Sequence, residues 1–447
     1  MDLTPFYARI SECPARDAFV HEEKKMPSTA EMAAWKPPEW TGGAFRDFAE
    51  EAFMKDVSRP LALYVHVPFC HHHCTFCPFY INQTKKGFSK DYTELLLREI
   101  EITADALKNV AHKREVDTVY FGGGTPTDLD EADMASVITS LFYHFNIPKT
   151  AEVTVEGRNT GFTASKAKTW TAAGANRFSL GVQSANTALR KRLGRISSRE
   201  ELQASLDGVC ASGSSVIIDM LYGLPGQTQE ILLDDIRFIA EKTGIDGLDL
   251  YELRIFPGTP LDKAIKNGKI PPAPAFNDKA VMFSAAYDAL ETAGFEHFSP
   301  KHWRRNVRER SLYNRLAGVQ CDMVPFGSAA GGRLYNIGLG NARDIKTYRT
   351  QIEAGEKPLG RIMASPLRQT SEGFNQVLAS YGENLCIPPA GLWPESHREM
   401  AGQLLSQWQD AGLLMQTDDG LRLTGAGYFW TQKIQGLIQR FLQTPIQ

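Results

Sequence analysis

From residue 61 onward, apolar runs of strand length alternate with longer segments of helical period. That alternation constrains the fold more than any other feature of the chain. Leu61-Ala62-Leu63-Tyr64-Val65-His66-Val67 is the first run. A helix is expected over about 90–110, where Leu95, Leu96, Ile100, Ile102 and Leu107 form a broad apolar face. Further strands are expected near 116–121, 152–156, 177–181, 216–221 and 248–253, with helices near 131–145, 164–172, 199–211 and 229–242. Such alternation gives parallel strands with helices outside them. Six strand–helix units fall short of the eight in a closed barrel. The expected fold is therefore α/β, an open, partial (β/α)6 barrel over 59–295.

Pro68 ends the first strand, and Cys70-His71-His72-His73-Cys74-Thr75-Phe76-Cys77 follows it. A loop at one rim of a sheet would carry these cysteines. Three thiolates at C-x3-C-x2-C spacing suit an iron–sulfur cube with one iron left uncapped, because thiolate is the ligand such clusters require. A disulfide pair and a zinc site that takes its fourth ligand from His71, His72 or His73 are the alternatives.

The 447 residues allow one large α/β domain with smaller appendages, and 43% hydrophobic with 23% charged residues describes a globular chain. A net charge of −3 gives no general signal for nucleic acid. No apolar run approaches membrane-spanning length, so no membrane contact is expected. Met1-Asp2-Leu3-Thr4-Pro5-Phe6 lacks a basic-then-apolar leader, and four of the seven cysteines are scattered outside the one motif. Both features fit a reducing cytoplasm.

Polar residues recur where strands end. Gly122-Gly123-Gly124-Thr125-Pro126 closes the second strand, and consecutive glycines let the backbone approach a ligand closely. Glu156 follows the third strand, Gln183 the fourth, with Arg195 beyond it, and Asp219 lies on the fifth. Singly, each of these reads equally well as a satisfied structural group. As a set they converge on the rim where barrels place their ligands.

The cysteine spacing, with Phe76 before the last cysteine, resembles the signature of the radical S-adenosylmethionine (SAM) superfamily. The GGGTP segment narrows the resemblance to the oxygen-independent coproporphyrinogen oxidase-like group. In that group a [4Fe–4S] cluster on Cys70, Cys74 and Cys77 chelates SAM and cleaves it to a deoxyadenosyl radical. The resemblance implies that Glu156 and Arg195 meet the methionyl ammonium and carboxylate, and that Gln183 and Asp219 meet the ribose. It adds Tyr64, Phe76, Gly122, Gly123, Gly124 and Thr125 to the cofactor site.

Pro78 and Phe79 follow Cys77, where the oxidase carries a further cysteine. Phe295-Glu296-His297-Phe298-Ser299-Pro300, the histidine insert and the glycine-rich run 327–340 look closest to the anaerobic haem-degrading radical methyltransferases. That likeness implies haem as substrate, two molecules of SAM, ring opening to a linear methylated tetrapyrrole, release of iron, and a low-potential electron donor such as flavodoxin or ferredoxin. The alternatives are oxidative decarboxylation of coproporphyrinogen and a haem chaperone. Lys301-His302-Trp303-Arg304-Arg305-Asn306-Val307-Arg308-Glu309-Arg310 is the densest basic stretch. At least one of Arg304, Arg305 and Arg308 is expected to meet a propionate, with Trp303 the candidate for the macrocycle face and His297 or His302 the candidate for the iron. A solvated helical face is the competing reading. The expected divisions are an extension over 1–58, the barrel over 59–295, a substrate-covering segment over 296–364 and a helical, winged-helix-like cap over 365–447.

Overall fold

The computed structural model describes residues 2–21, 26–28, 31, 44–79, 82–317, 321–364, 386–387, 391, 393–418 and 420–444. The Trp- and Pro-rich run 35–40 and the start of the expected helical region at 365 lie outside the described residues.

Strand β1 (Leu61–Val67) sits centrally in a twelve-stranded sheet. Leu61, Leu63, Val65 and Val67 are fully buried, whereas Tyr64 and His66 on the other face are half-buried. The period-two pattern thus puts aliphatic side chains under the helices and polar aromatics inside the barrel. Strands β2 (Thr118–Gly123), β3 (Glu152–Arg158), β4 (Arg177–Gln183), β5 (Ser215–Tyr222) and β6 (Gly247–Glu252) follow in sequence order, each parallel to the last. The crossovers include α1 (Phe88–Ala106), α2 (Glu131–His144), α3 (Ala164–Ala173), α4 (Arg199–Cys210) and α5 (Gln229–Lys242). Thr163, Ser198 and Thr228 start the last three by accepting hydrogen bonds from first-turn amides.

After α6 (Phe276–Thr292) the chain extends this sheet at both edges. Strands β7 (Glu296–Ser299) and β8 (His302–Arg304) form an antiparallel hairpin against β6. The chain then crosses below the barrel. Strand β9 (Asp322–Phe326) pairs in parallel with β1, which makes seven parallel strands where the alternation suggested six. Pro325 inside that run hides it from a strand pattern. Strands β10 (Gly331–Leu334), β11 (Ile337–Asn341) and β12 (Leu359–Ala364) complete an antiparallel edge.

A fully buried polar knot ties this edge to α1. The Glu99 carboxylate accepts from Gly327 N (2.6 Å), Asn341 Nδ2 (2.7 Å), Tyr348 Oη (2.5 Å) and Lys357 Nζ (2.6 Å). The C-terminal part has helices Arg398–Asp410 and Thr431–Gln443, with a hairpin between them. Residues near the N-terminus strap across it. Phe6 packs on Phe441 with ring centres 5.7 Å apart, and Trp408 Nε1 donates to the Phe6 carbonyl.

Candidate active site

The carboxyl ends of β1 to β6 form an open mouth. Tyr64, His66, Tyr120, Glu156, Asp219 and Tyr251 are half-buried there although all lie on sheet strands. Tyr64 and Tyr120 are partners in register on β1 and β2. Tyr64 Oη lies 2.8 Å from His66 Nδ1, and Tyr120 Oη donates to Glu156 Oε2 (3.3 Å).

The cysteine loop rises from β1 at this mouth. Cys70, Cys74 and Cys77 are each half-buried there. Thr125 Oγ1 donates to Cys70 Sγ (3.3 Å), and Gly124 N donates to the Val67 carbonyl (2.8 Å). A Cβ on Gly124 would lie 2.5 Å from the Phe69 carbonyl oxygen, and one on Gly123, at φ +111°, 2.6 Å from the His66 ring. Only glycine lets these two segments pass. The far side of the loop is stitched down by Thr75 N to the Leu193 carbonyl (3.2 Å) and by Leu261 N to the Thr75 carbonyl (2.8 Å). Phe76 packs against a small apolar cluster that includes Leu193, Leu224 and Leu261. It thereby anchors the loop from beneath.

Arg195 carries the strongest sign of a ligand. It is 5% exposed, and among the described residues its Nε and Nη1 have no hydrogen-bond partner. Burial lowers its pKa, while Cys74 opposes that shift, as Asp219 does more weakly. A buried guanidinium with orphaned donors is costly until an anion meets it. Glu156 is the complementary group. Burial pushes its carboxyl up to about 7, against the Tyr120 hydroxyl and the Gly123 amide. Asp219 is pushed up to about 8 by burial, then by Asp249 and Glu156. Gln183 holds φ +73°, and its Nε2 would lie 2.8 Å from a Cβ on Gly181. Cysteines, orphaned guanidinium and carboxylates thus fit a thiolate-held cluster and a zwitterionic amino acid beside it.

Sequence reasoning missed several residues here. Asp128 Oδ2 accepts from His71 N (2.7 Å) and Arg158 Nη2 (3.1 Å), and Arg158 Nη1 donates to the His72 carbonyl (3.0 Å). This pair fixes the histidine insert. Parity with Tyr64 on the neighbouring strand could have found Tyr120. Tyr313 had no local signal. It enters from below and stacks on Tyr120, with ring centres 4.1 Å apart.

The structure does not bring Arg304, Arg305 and Arg308 to the mouth as expected. Strand β8 runs antiparallel to β6, so His302 faces Asp249 and Arg304 faces Gly247, the first residue of β6. Each residue descends about 3.3 Å, so the arginines reach the opposite end of the barrel. Arg304 pairs with Glu296 (2.8 Å), Arg305 Nη2 donates to the Ala240 carbonyl (2.7 Å) and Arg308 pairs with Asp246 (2.7 Å). Trp303 is fully buried on the outer face of the sheet. His297 lies on the same outer face, 4.3 Å from the Trp303 ring centre and 3.9 Å from that of Tyr428, and burial pushes its imidazole down to about 3. His302 is committed inside the barrel, with Nδ1 3.0 Å from Asp249 and Nε2 3.3 Å from Glu309.

A cysteine triad, a glycine approach and an orphaned arginine at the mouth of a partial barrel define an iron–sulfur enzyme that uses an amino-acid-like cofactor. Residues 64–239 match the radical SAM superfamily. Anaerobilin synthase of Escherichia coli O157:H7 is 35% identical, over 99% of this chain and 96% of that one. Oxygen-independent coproporphyrinogen III oxidase of Pseudomonas aeruginosa is 24% identical over 87% of each chain. The solved coproporphyrinogen III oxidase of Escherichia coli, a radical SAM enzyme, superposes with a TM-score of 0.71 at 24% identity, over 94% of this chain and all of that one. The chain belongs to the radical SAM superfamily, in the family of anaerobilin synthase. Its cofactors are a [4Fe–4S] cluster and SAM.

Proposed function

We propose that this chain opens the haem macrocycle without oxygen, as a radical SAM methyltransferase that yields a linear methylated tetrapyrrole and releases iron. The observation that carries this reading is the end-to-end similarity to anaerobilin synthase, which spans the extension, the barrel and the C-terminal part alike. The cluster with its SAM supplies a carbon-centred radical, and this chain's residues do the rest. Cys70, Cys74 and Cys77 would hold the cluster. Arg195 and Glu156 would orient the methionyl carboxylate and ammonium, and Gln183 and Asp219 the ribose. The tyrosine-lined wall keeps water from the reacting centre. A second SAM as methyl source, a flavodoxin- or ferredoxin-like electron donor and a cytoplasmic setting belong to the same reading. In support of the last, among the described residues no helix is long and apolar enough to cross a membrane.

Oxidative decarboxylation of coproporphyrinogen is the second reading, favoured by the likeness of fold to the oxidase. A haem chaperone is the third. Anaerobic incubations of reconstituted protein with reductant and SAM, one with haem and one with coproporphyrinogen, followed by mass spectrometry, separate them. Ring opening gives a linear, methylated product and consumes SAM. A decarboxylase leaves haem intact and acts on coproporphyrinogen with loss of carbon dioxide. A chaperone returns haem unchanged. Unchanged haem with full cluster occupancy refutes the main reading.

A further inference from the structure

We propose that Lys301 and Arg254 form the carboxylate clamp for a haem propionate at the barrel mouth. This inference rests on the haem reading above and names the residues that recognise that substrate.

The antiparallel register that carries Arg304 to the far end leaves Lys301 at the near one. His302 faces Asp249, and the Lys301 carbonyl accepts from Leu250 N (2.8 Å), so the turn before β8 lies level with the upper half of β6. Lys301 Nζ sits 5.0 Å from the centre of the Tyr251 ring. Tyr251 pairs in register with Leu221, two residues beyond Asp219, and its hydroxyl is pushed up by Asp249, then by burial, Asp219 and Glu156. The lysine therefore stands over an aromatic two register positions beyond Asp219. Arg254 lies two residues past the end of β6 and reaches the C-terminal helix, where its Nη2 donates to Gln432 Oε1 (3.1 Å).

The acids that act on the Lys301 ammonium are Asp249 and Glu252. The acids closest to hand are engaged elsewhere, Glu252 with Lys279 at 2.9 Å and Asp249 with His302 at 3.0 Å. Among the described residues no ion pair includes Lys301 or Arg254. Partial burial and then Arg254 lower the Lys301 ammonium, and Asp249 and Glu252 act the other way without forming an ion pair with it. Two unpaired cations set together repel, and a carboxylate between them removes the repulsion and gains charge-assisted hydrogen bonds. The other basic groups of the mouth are either occupied or, for Arg195, assigned to the methionyl carboxylate. Arg158 is on Asp128, Arg192 donates to the Pro225 carbonyl, and Arg195 is buried beside the cysteines. The segment after β6 meets the cysteine loop, with Leu261 N on the Thr75 carbonyl (2.8 Å) and the Phe256 and Phe79 rings 6.3 Å apart, so the pair lies at the mouth on the side of that loop. A planar substrate held there by its carboxylate would extend over the cofactor site towards the cluster. The Tyr251 ring beneath Lys301 supplies an apolar face for it.

The test uses anaerobically reconstituted, cluster-loaded protein, titrated with haem and with haem dimethyl ester by absorbance. Lys301→Met and Arg254→Met should each weaken haem roughly tenfold, the loss of one charge-assisted bond of about 1.4 kcal/mol. Both should bind the dimethyl ester as tightly as the parent does, and Lys301→Arg should restore haem affinity. Cluster absorption serves as the folding control. Parent-like haem affinity in both Met variants overturns the clamp. So does an equal loss for haem and its ester, which would mean a general disturbance of the mouth. A loss of SAM affinity with haem affinity unchanged assigns the pair to the cofactor and also overturns it. If the parent binds neither porphyrin, the haem reading itself fails and the clamp with it, a result distinct from the others.

Discussion

Glu309 closes the amino-terminal end of the barrel, and its removal should cost more than that of any surface acid. The carboxylate is fully buried and meets Arg177 Nη2 at 2.9 Å, accepts from Ser215 Oγ (2.9 Å) and from Ser311 N (2.9 Å), and lies 3.3 Å from His302 Nε2. Burial alone would raise its pKa, but Arg177 and His302 hold it far below the usual carboxylate range. Burial likewise opposes the His302 charge, yet Asp249 and Glu309 push that imidazole up to about 9. Glu309→Gln keeps the shape and one acceptor but leaves Arg177 and His302 short of one negative charge. Breaking a buried pair costs about 3–5 kcal/mol, and the retained amide oxygen places this variant near the lower figure. The pH dependence has a definite sign. A histidine raised from 6.5 to about 9 contributes stability that is fully present below pH 6.5 and is lost as pH rises through 9. At 1.36 kcal/mol per unit that contribution is on the order of 3 kcal/mol. Part of it comes from Glu309, so the gap between parent and variant should be widest near pH 6 and narrow by pH 9.5. Urea unfolding of the cluster-free chain, followed by far-ultraviolet circular dichroism at several pH values, reads both. A double change, Arg177→Met with Glu309→Leu, should cost less than Glu309→Gln. A gap below about 1 kcal/mol at pH 6, or one that widens with pH, would refute the charge argument.

Other outcomes follow from the mouth. Changing Cys70, Cys74 and Cys77 together to Ala should abolish cluster absorption and SAM cleavage, and retention of four irons per chain would show that the cluster is held elsewhere. Arg195→Ala should weaken SAM binding by about 1.5–3 kcal/mol in calorimetry with the cluster intact, since it removes a charge-assisted contact; unchanged affinity takes Arg195 out of the site. Glu156 must be ionised to hold an ammonium, and its pKa is raised from 4.5 to about 7. SAM affinity should therefore fall roughly tenfold between pH 8 and pH 6 in the parent. Glu156→Gln should bind weakly at both values, and a parent-like slope in that variant would assign the titration to another group.

What the sequence makes legible here is local. The period-two runs place the six parallel strands, and polar residues at their carboxyl ends mark the mouth because an unpartnered polar side chain is costly inside an apolar strand. The structure brings Glu156, Gln183, Arg195 and Asp219 to the rim on which the cysteines sit. The basic stretch shows where such reading stops. Lys301 and Arg304 are three residues apart and look alike in the sequence, yet one stands at the mouth and the other at the far end. What separates them is the antiparallel direction of β8, set by pairing with β6 about fifty residues earlier. Local charge density carries no information about that direction. Strand β9 was hidden for a similar reason, since its place beside β1 is fixed by long-range pairs such as Asp322 with Arg114 at 2.9 Å.

Those long-range pairs bear on the chemistry through one hydroxyl. Tyr92 Oη donates to the His66 carbonyl (2.7 Å) and accepts from Ser328 N (2.9 Å), so α1 bridges the end of β1 to the turn after β9. The Tyr92 ring also packs edge-on against Phe69, with centres 5.1 Å apart. Ser328 follows Gly327, whose amide is held by Glu99 in the buried knot. The position of His66 and Phe69 is thus set on one side by the sheet extension, far in sequence from the cysteines. Cys70 begins one residue later. A cluster ligand must be held within a few tenths of an ångström while its neighbouring iron keeps an open coordination site. A loop tethered only by its own turns would not supply that constraint. Here the extension that looked like a cover for substrate helps to fix where the first thiolate stands.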